Sequence, residues 1–441
     1  MIRRREVNPK ARVKGGETMN FETVFEQKQS KEELFLAEIE AYDAEQTPRM
    51  KAKGYTFKGY VEKTVSFTFG TITFKRKRWK RNDENCYPVD AYLGIKKRQR
   101  VSEGLLQEIA TDLPLMTFRG VTEIMNQRDI EISTWVVVQA RKFVSNLLKE
   151  REEYRFYSEE QNVREKIKSP IIYVEADGLR IKTCSQNEKR KNTDFSHYVV
   201  HTGKDKGKIQ NFREFYSIKS VHAKQQVVDH IYNHYEVTPN TLLYTRSDEG
   251  TGYTAHIFKE FCSDIGILKH NHHHFWDRWH IFKYISDHTV HVDQEIKGLF
   301  EQAIREQSRD KLHLALDTME SNVIFGTEKQ QEDFKVFKKR MLYNYKYSAT
   351  SGQRNLPYKD IPVIEANHKK VTHRMKHRGM YWSLTGSLTM IHIIIMKKKN
   401  GLGELFNGEW REKYAKYKEY DEIYHSRDIM SRYRKQGRQG H

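Results

Sequence analysis

The stretch IIYVEADG, residues 171–178, places four apolar side chains (Ile171, Ile172, Tyr173 and Val174) directly before Glu175, Asp177 and Gly178. A run of this kind reads as a buried strand, and a carboxylate at its end is costly unless it is paired, hydrogen-bonded or bound to a metal. The chain as a whole is basic, with 78 Lys and Arg against 59 Asp and Glu. Acids at a strand end therefore call for a reason. A second strand, TLLYTRSDEG over 241–250, closes in the same way on Asp248. Neighbouring strands of one sheet bring such carboxylates within a few ångströms, where the pair is costly without a cation between them. Hard oxygen donors suit Mg²⁺ or Mn²⁺. Two such ions about 4 Å apart activate an attacking oxygen and stabilise a leaving one in phosphoryl transfer. Each motif taken singly is also an ordinary turn at the end of a strand.

The surrounding text fixes the class as α/β. IIYVEAD and LRIKTC read as neighbouring strands turned at Gly178, and FSHYVVHTG (195–203) as a third. AKQQVVDHIYNHY (223–235) is helical, then comes the strand that ends at Asp248, then the helix YTAHIFKEFCSDIG (253–266). HHHFWDRWHIFKYI (272–285) is a short aromatic strand running into a helix. Residues 290–345 carry helical periodicity, with Val292, Ile296, Leu299, Phe300 and Ala303 on one face. A last helix around 362–378 is introduced by Pro362. The pattern is a mixed α/β core with a helical insertion.

Upstream, residues 20–45 read as a charged helix, and TVSFTFGTITFKRKRW (64–79) as a hairpin around Gly70. The run KRKRWKR (75–81) reads either as a charge-protected edge strand or as a phosphate-contacting strand with Trp79 able to stack. Three helices follow over 102–150, in a helix-turn-helix outline that any small three-helix bundle would share. Specific recognition of DNA is expected from this amino-terminal third, with the hairpin supplying phosphate contacts.

A net charge of +19 and a pI near 9.5 point to a polyanionic partner, nucleic acid before membrane. Cys86, Cys184 and Cys262 lie far apart and form no CxxC pair, which argues against a disulfide framework or a cysteine-rich zinc site. The longest apolar run, MIHIIIM (390–396), is far short of a membrane span, and the first residues lack a signal peptide's apolar segment. A cytoplasmic, nucleoid-associated protein is expected. Residues 1–18 and the basic tail SRYRKQGRQGH (431–441) read as unstructured, with Met19 an alternative start.

In DRWH, Asp277 is placed to cap a helix and His280 falls in its first turn. The three histidines 272–274 alternate between strand faces, so they do not form a metal cluster and read as phosphate-facing or solvated.

YVEADG, SDEG, HFWDRWHIFKYI and IEANHKKVTHRMKHRGMYWS follow one another in the order and texture of a known group. In these residues the chain resembles the ISLre-type insertion-sequence transposases, DDE enzymes akin to the Mutator type, from about residue 60 to about 400. The resemblance implies an RNase H-like core interrupted by a helical insertion. It also implies that Asp177 and Asp248 are the first two metal-binding acids, that Asp277 and His280 form the D-x-x-H signature, and that Glu365 is the closing acid. Two departures stand out: SDEGTGY where the family shows a glycine and an aromatic closer to the second acid, and Ala366 where it favours glycine.

The implied activity is cleavage of DNA at element ends and strand transfer into target DNA, with two Mg²⁺ or Mn²⁺ ions. The implied partners are terminal inverted repeats and target duplex, bound by a homo-oligomer with no role for a membrane. An inactive DNA-binding descendant and an RNase H-like nuclease without joining activity are the rival readings. The expected division is a start and charged helix (1–60), hairpin and helical DNA-binding region (61–150), catalytic core (151–285), helical insertion (286–355), closing helix of the core (356–400) and basic tail (401–441).

Overall fold

The computed structural model describes residues 21–161, 165–184, 189–324, 326–376 and 380–419. The two termini expected to be unstructured lie outside the described residues. The chain divides into two compact units, Met1–Phe143 and Val144–His441.

In the first unit, helix α1 (Phe21–Ala52) precedes a long antiparallel hairpin of β1 (Thr56–Phe67) and β2 (Gly70–Arg81). The tight connection needs Gly70, whose φ is +148°. Alternation buries Val65, Phe67, Ile72 and Phe74 against Ile39 of α1. The strand β2 corrects one expectation. Trp79 is 1% exposed and packs edge-on against Phe57, so its indole is not available for stacking on a ligand. Arg76 is buried too, its Nε 2.7 Å from Asp90, which also binds Lys63 at 3.0 Å. The helices α2 (Pro88–Tyr92), α3 (Glu103–Asp112) and α4 (Phe118–Gln127) complete this unit. Ser102 and Thr117 cap α3 and α4 by accepting from the N–H groups of Leu105 and Gly120. The unit boundary falls within α5 (Thr134–Gln161).

The second unit is built on a five-stranded mixed sheet. Its strands are β3 (Ile171–Thr183), β4 (Lys191–His201), β5 (Arg213–Ser217), β6 (Leu242–Ser247) and β7 (His272–Trp276). The order across the sheet is β7-β6-β3-β4-β5. β3, β4 and β5 are antiparallel neighbours, whereas β6 and β7 run parallel to β3. α6 (Ser220–His234) and α7 (Ala255–Ile265) cover one face through Val227, Ile231, Phe258 and Phe261. The chain does not turn at Gly178, contrary to the sequence reading. β3 runs straight through it for 13 residues, paired with β4 from Tyr173 to Thr183. Glycine is needed there for space, because an added Cβ would stand 2.6 Å from Asp194 Oδ1 on β4.

After β7 come α8 (Arg278–His288), α9 (Gln294–Glu306), α10 (Arg309–Val323) and α11 (Glu328–Asn344). They pack on one another around Phe300, Leu316, Phe337 and Met341. The chain then returns to the sheet with α12 (Ile364–Met375), followed by α13 (Leu384–Lys398) and α14 (Leu402–Asn407). The apolar run 390–396 is the middle of α13, where Met390, Ile391, Ile393 and Ile394 are buried. Among the described residues no helix is long and apolar enough to cross a membrane.

Candidate metal centre

Strand register decides which acids meet. Ser247 pairs with Ala176 on one side and with Trp276 on the other. The residues that follow each of these, Asp248, Asp177 and Asp277, therefore stand in a row across three parallel strands, at the ends of β6 and β7 and in the middle of β3. Their fates differ.

Asp177 is 7% exposed and accepts the N–H of Gly178 at 2.6 Å. Its Oδ2 lies 3.4 Å from His368 Nδ1 and 3.7 Å from His280 Nε2. Asp248 sits in the tight loop after β6, where its Oδ1 accepts the N–H of Gly250 at 2.8 Å. A side chain at Gly250 would press on that carboxylate. The loop is held from the neighbouring strand and from the helical insertion, since the Asp248 carbonyl accepts from Trp276 Nε1 of β7 at 3.1 Å and from Arg340 of α11 at 2.7 Å. Burial raises the pKa of Asp248; the Gly250 N–H opposes this and the charge of Asp177 adds to it. Asp194 belongs to the same field. Burial raises its pKa against the pull of Arg180, and Asp177 and Asp248 push it higher still. Mutual repulsion of this kind marks a place suited to a cation.

Asp277 has another role. It caps α8 by accepting the N–H of His280 at 3.1 Å, and its other oxygen takes Arg246 at 3.1 Å. Buried Arg246 also pairs with Asp360. The cap aims His280 at the acids, 3.3 Å from Glu365 Oε1. Burial opposes a charge on His280, but its hydrogen bonds to Asp177 and Glu365 outweigh that and push its pKa up to about 10. The same bond lowers the pKa of Glu365.

Glu365 lies in the first turn of α12, with His368 one turn on. One ligand atom each from Asp177, Glu365 and His368 lie within 4.8 Å of one another. The docking of α12 rests on Glu175. This buried carboxylate accepts the N–H of Val363 at 2.9 and 3.0 Å and that of Ile364 at 3.1 Å, satisfying donors that a helix N-terminus leaves open. His201 Nε2 is 3.5 Å away. The two acids of YVEADG thus divide the work on one strand face: Glu175 anchors the helix and Asp177 faces what the helix carries.

Sequence reasoning missed Asp194, His368 and the role of Glu175. The spacing Glu365-x-x-His368 was a usable signal, since residues three apart on a helix share a face. Glu175 was equally legible, two residues from Asp177 on a strand. Asp194 was not, because only the pairing of β3 with β4 brings it over Gly178. The histidine run also differs from expectation. His274 is buried, with Nε2 2.5 Å from Glu249 Oε1 and Nδ1 2.7 Å from Thr245 Oγ1, while His272 bonds the same Thr245 hydroxyl at 2.7 Å. These rings tie β6 to β7 instead of facing solvent or phosphate.

The protein is thus a mixed α/β protein whose central strand β3 and returning helix assemble a carboxylate and imidazole cluster. It belongs to the uncharacterised protein family UPF0236, whose pattern matches residues 19–414. A UPF0236 protein in the vanSb 3′ region of Streptococcus gallolyticus is 26% identical over 380 residues, covering 83% of this chain and 79% of that protein. Among solved structures, the Drosophila P element transposase strand transfer complex matches at 12% identity with a TM-score of 0.25, over 72% of this chain and 86% of that one.

Proposed function

We propose that the protein is a DNA transposase of the ISLre type, which cleaves phosphodiesters at element ends and joins the freed ends to target DNA. The observation that carries this reading is the meeting of Asp177 on β3 with Glu365 and His368 on α12, beside an Asp248 that lies outside that close group but feels the charge of Asp177. The sheet order, three antiparallel strands followed by two parallel ones, supports an RNase H-like core. The excess of 19 positive charges suits a DNA partner.

The donor set fits a divalent cation: carboxylates that repel one another stand around a space edged by His280 and His368. Asp177, Asp248 and Glu365 would hold Mg²⁺ or Mn²⁺, in one or two ions. Bound there, the ion would supply Lewis-acid activation of the attacking oxygen and charge for the leaving one. The chain's own part is placement. Glu175 sets the height of α12, Arg340 and Trp276 hold the Asp248 loop, and His280 spaces Asp177 from Glu365. In cleavage, water attacks phosphorus and the P–O3′ bond breaks to leave a 3′-hydroxyl. In joining, that hydroxyl attacks a target phosphodiester, so one P–O bond forms as one breaks and no further reagent is consumed. Residues 61–150, with the helix-turn-helix-like helices α3 to α5, are assigned to recognition of the element ends. Residues 151–285 and 356–400 are assigned to the catalytic core, and 286–355 to the insertion.

A strand-transfer assay on labelled terminal-repeat DNA tests the proposal. Wild type should give cut and joined products. Asp177→Asn and Asp248→Asn should each lower cleavage by more than about 100-fold while still shifting the DNA, since each change removes a ligand charge with little change of shape. Cut product without joining would favour the nuclease reading. A shifted complex alone would favour the binding protein.

A further inference from the structure

We propose that His368 is a nitrogen ligand to the divalent cation of this centre, and that the site therefore selects Mn²⁺ over Mg²⁺. The inference rests on the metal-site reading above and adds to it a ligand and a preference. His368 Nδ1 lies 3.4 Å from Asp177 Oδ2, and both fall with a Glu365 oxygen inside a 4.8 Å group. Two adjacent donors on an octahedral ion with bonds of about 2.1 Å stand about 3 Å apart, so small side-chain movements bring these atoms onto one ion.

The ring is held in place. His368 is 8% exposed and lies against His197, with ring centroids 4.9 Å apart, while His197 stacks on Tyr216 at 4.1 Å. Its Nε2 is buried with no hydrogen-bond partner among the described residues, so no polar contact there accounts for a histidine in this position. Glu365 and His368 ride on one turn of α12, and Glu175 docks that turn. The helix therefore presents a carboxylate and an imidazole as a unit to Asp177.

Imidazole changes which ion is preferred. Mg²⁺ takes oxygen donors and keeps its waters, whereas Mn²⁺ shares its taste for carboxylates and, as a transition ion at the weak end of the Irving–Williams order, gains more from one added nitrogen donor. His280 is the competing nitrogen, but its side chain is 25% exposed and its Nε2 lies between the two carboxylates as a hydrogen-bond partner of Glu365.

The test uses the full chain without DNA. Mn²⁺ is titrated and followed by electron paramagnetic resonance, competition with Mg²⁺ gives the affinity ratio, and spin-echo modulation reports any coordinated nitrogen. Wild type should bind Mn²⁺ at least about 10-fold more tightly than Mg²⁺, with clear ¹⁴N modulation. His368→Gln should lose the modulation and most of the Mn²⁺ preference while retaining Mg²⁺ affinity within a few-fold. His280→Gln should keep the modulation. Bound Mn²⁺ without nitrogen modulation in wild type would overturn the inference and leave an all-carboxylate centre standing. Modulation lost in His280→Gln but kept in His368→Gln would overturn it in favour of the other histidine. No bound Mn²⁺ at all would overturn this inference and the metal-site reading together.

Discussion

Glu175 on β3 receives the backbone N–H of Val363 at 2.9 Å, a bond across 188 positions of sequence that fixes where α12 begins. Its neighbour on the same strand face, Asp177, then meets Glu365 and His368 from that helix. The register of one helix against one strand thus sets the geometry of the centre.

Replacing Glu175 with Gln should weaken the fold and the centre together. A carboxamide turns an N–H group toward donors that now face an acceptor, at a cost of about 2–4 kcal/mol. Urea unfolding should show a lower midpoint, and divalent-ion affinity should fall with it. An unchanged midpoint would mean that α12 docks by its apolar contacts alone.

Arg340→Ala should lower cleavage without loosening DNA binding. Arg340 reaches from α11 to the Asp248 carbonyl at 2.7 Å and lies over the rings of Tyr284 and Trp276. Its loss frees the loop that carries the second acid, and displacement of such a ligand costs about 10–100-fold. Single-turnover cleavage measures this. Full activity in the variant would assign the insertion no part in holding the loop.

The metal-free protein should lose stability in alkali through His280. Its folded pKa of about 10 lies above the ordinary 6.5, so its contribution is complete below about pH 6.5 and disappears as pH rises through about 10. The loss should be on the order of 1–3 kcal/mol after allowance for its partial exposure. Unfolding midpoints across this range should fall in wild type and stay flatter in His280→Gln. Saturation with Mn²⁺ should flatten the wild-type curve as well, because the cation takes over the carboxylates that hold the proton. Parallel slopes in wild type and variant would remove His280 from this account.

Local pattern was enough to find most of the strands, though not β5, most of the helices and three of the acids. Apolar runs, periodicity and capping residues are properties of short stretches, and Asp177, Asp248 and Asp277 each stand at the end of one. The sequence could also place Glu365 near a helix start, although only its likeness to a family suggested a function there. Tertiary structure alone decided the rest. Whether β3 turns at Gly178 or runs past it depends on pairing with β4, which continues across Gly178 and brings Asp194 against it. Whether Trp79 faces solvent or core depends on what covers the hairpin, and in the fold its indole is buried. Asp277 and Asp248 look alike in sequence, yet Arg246 claims the first and the field of Asp177 surrounds the second. A carboxylate's role is set by the charges and donors within a few ångströms of it, and those come from segments that the chain brings together only when it folds.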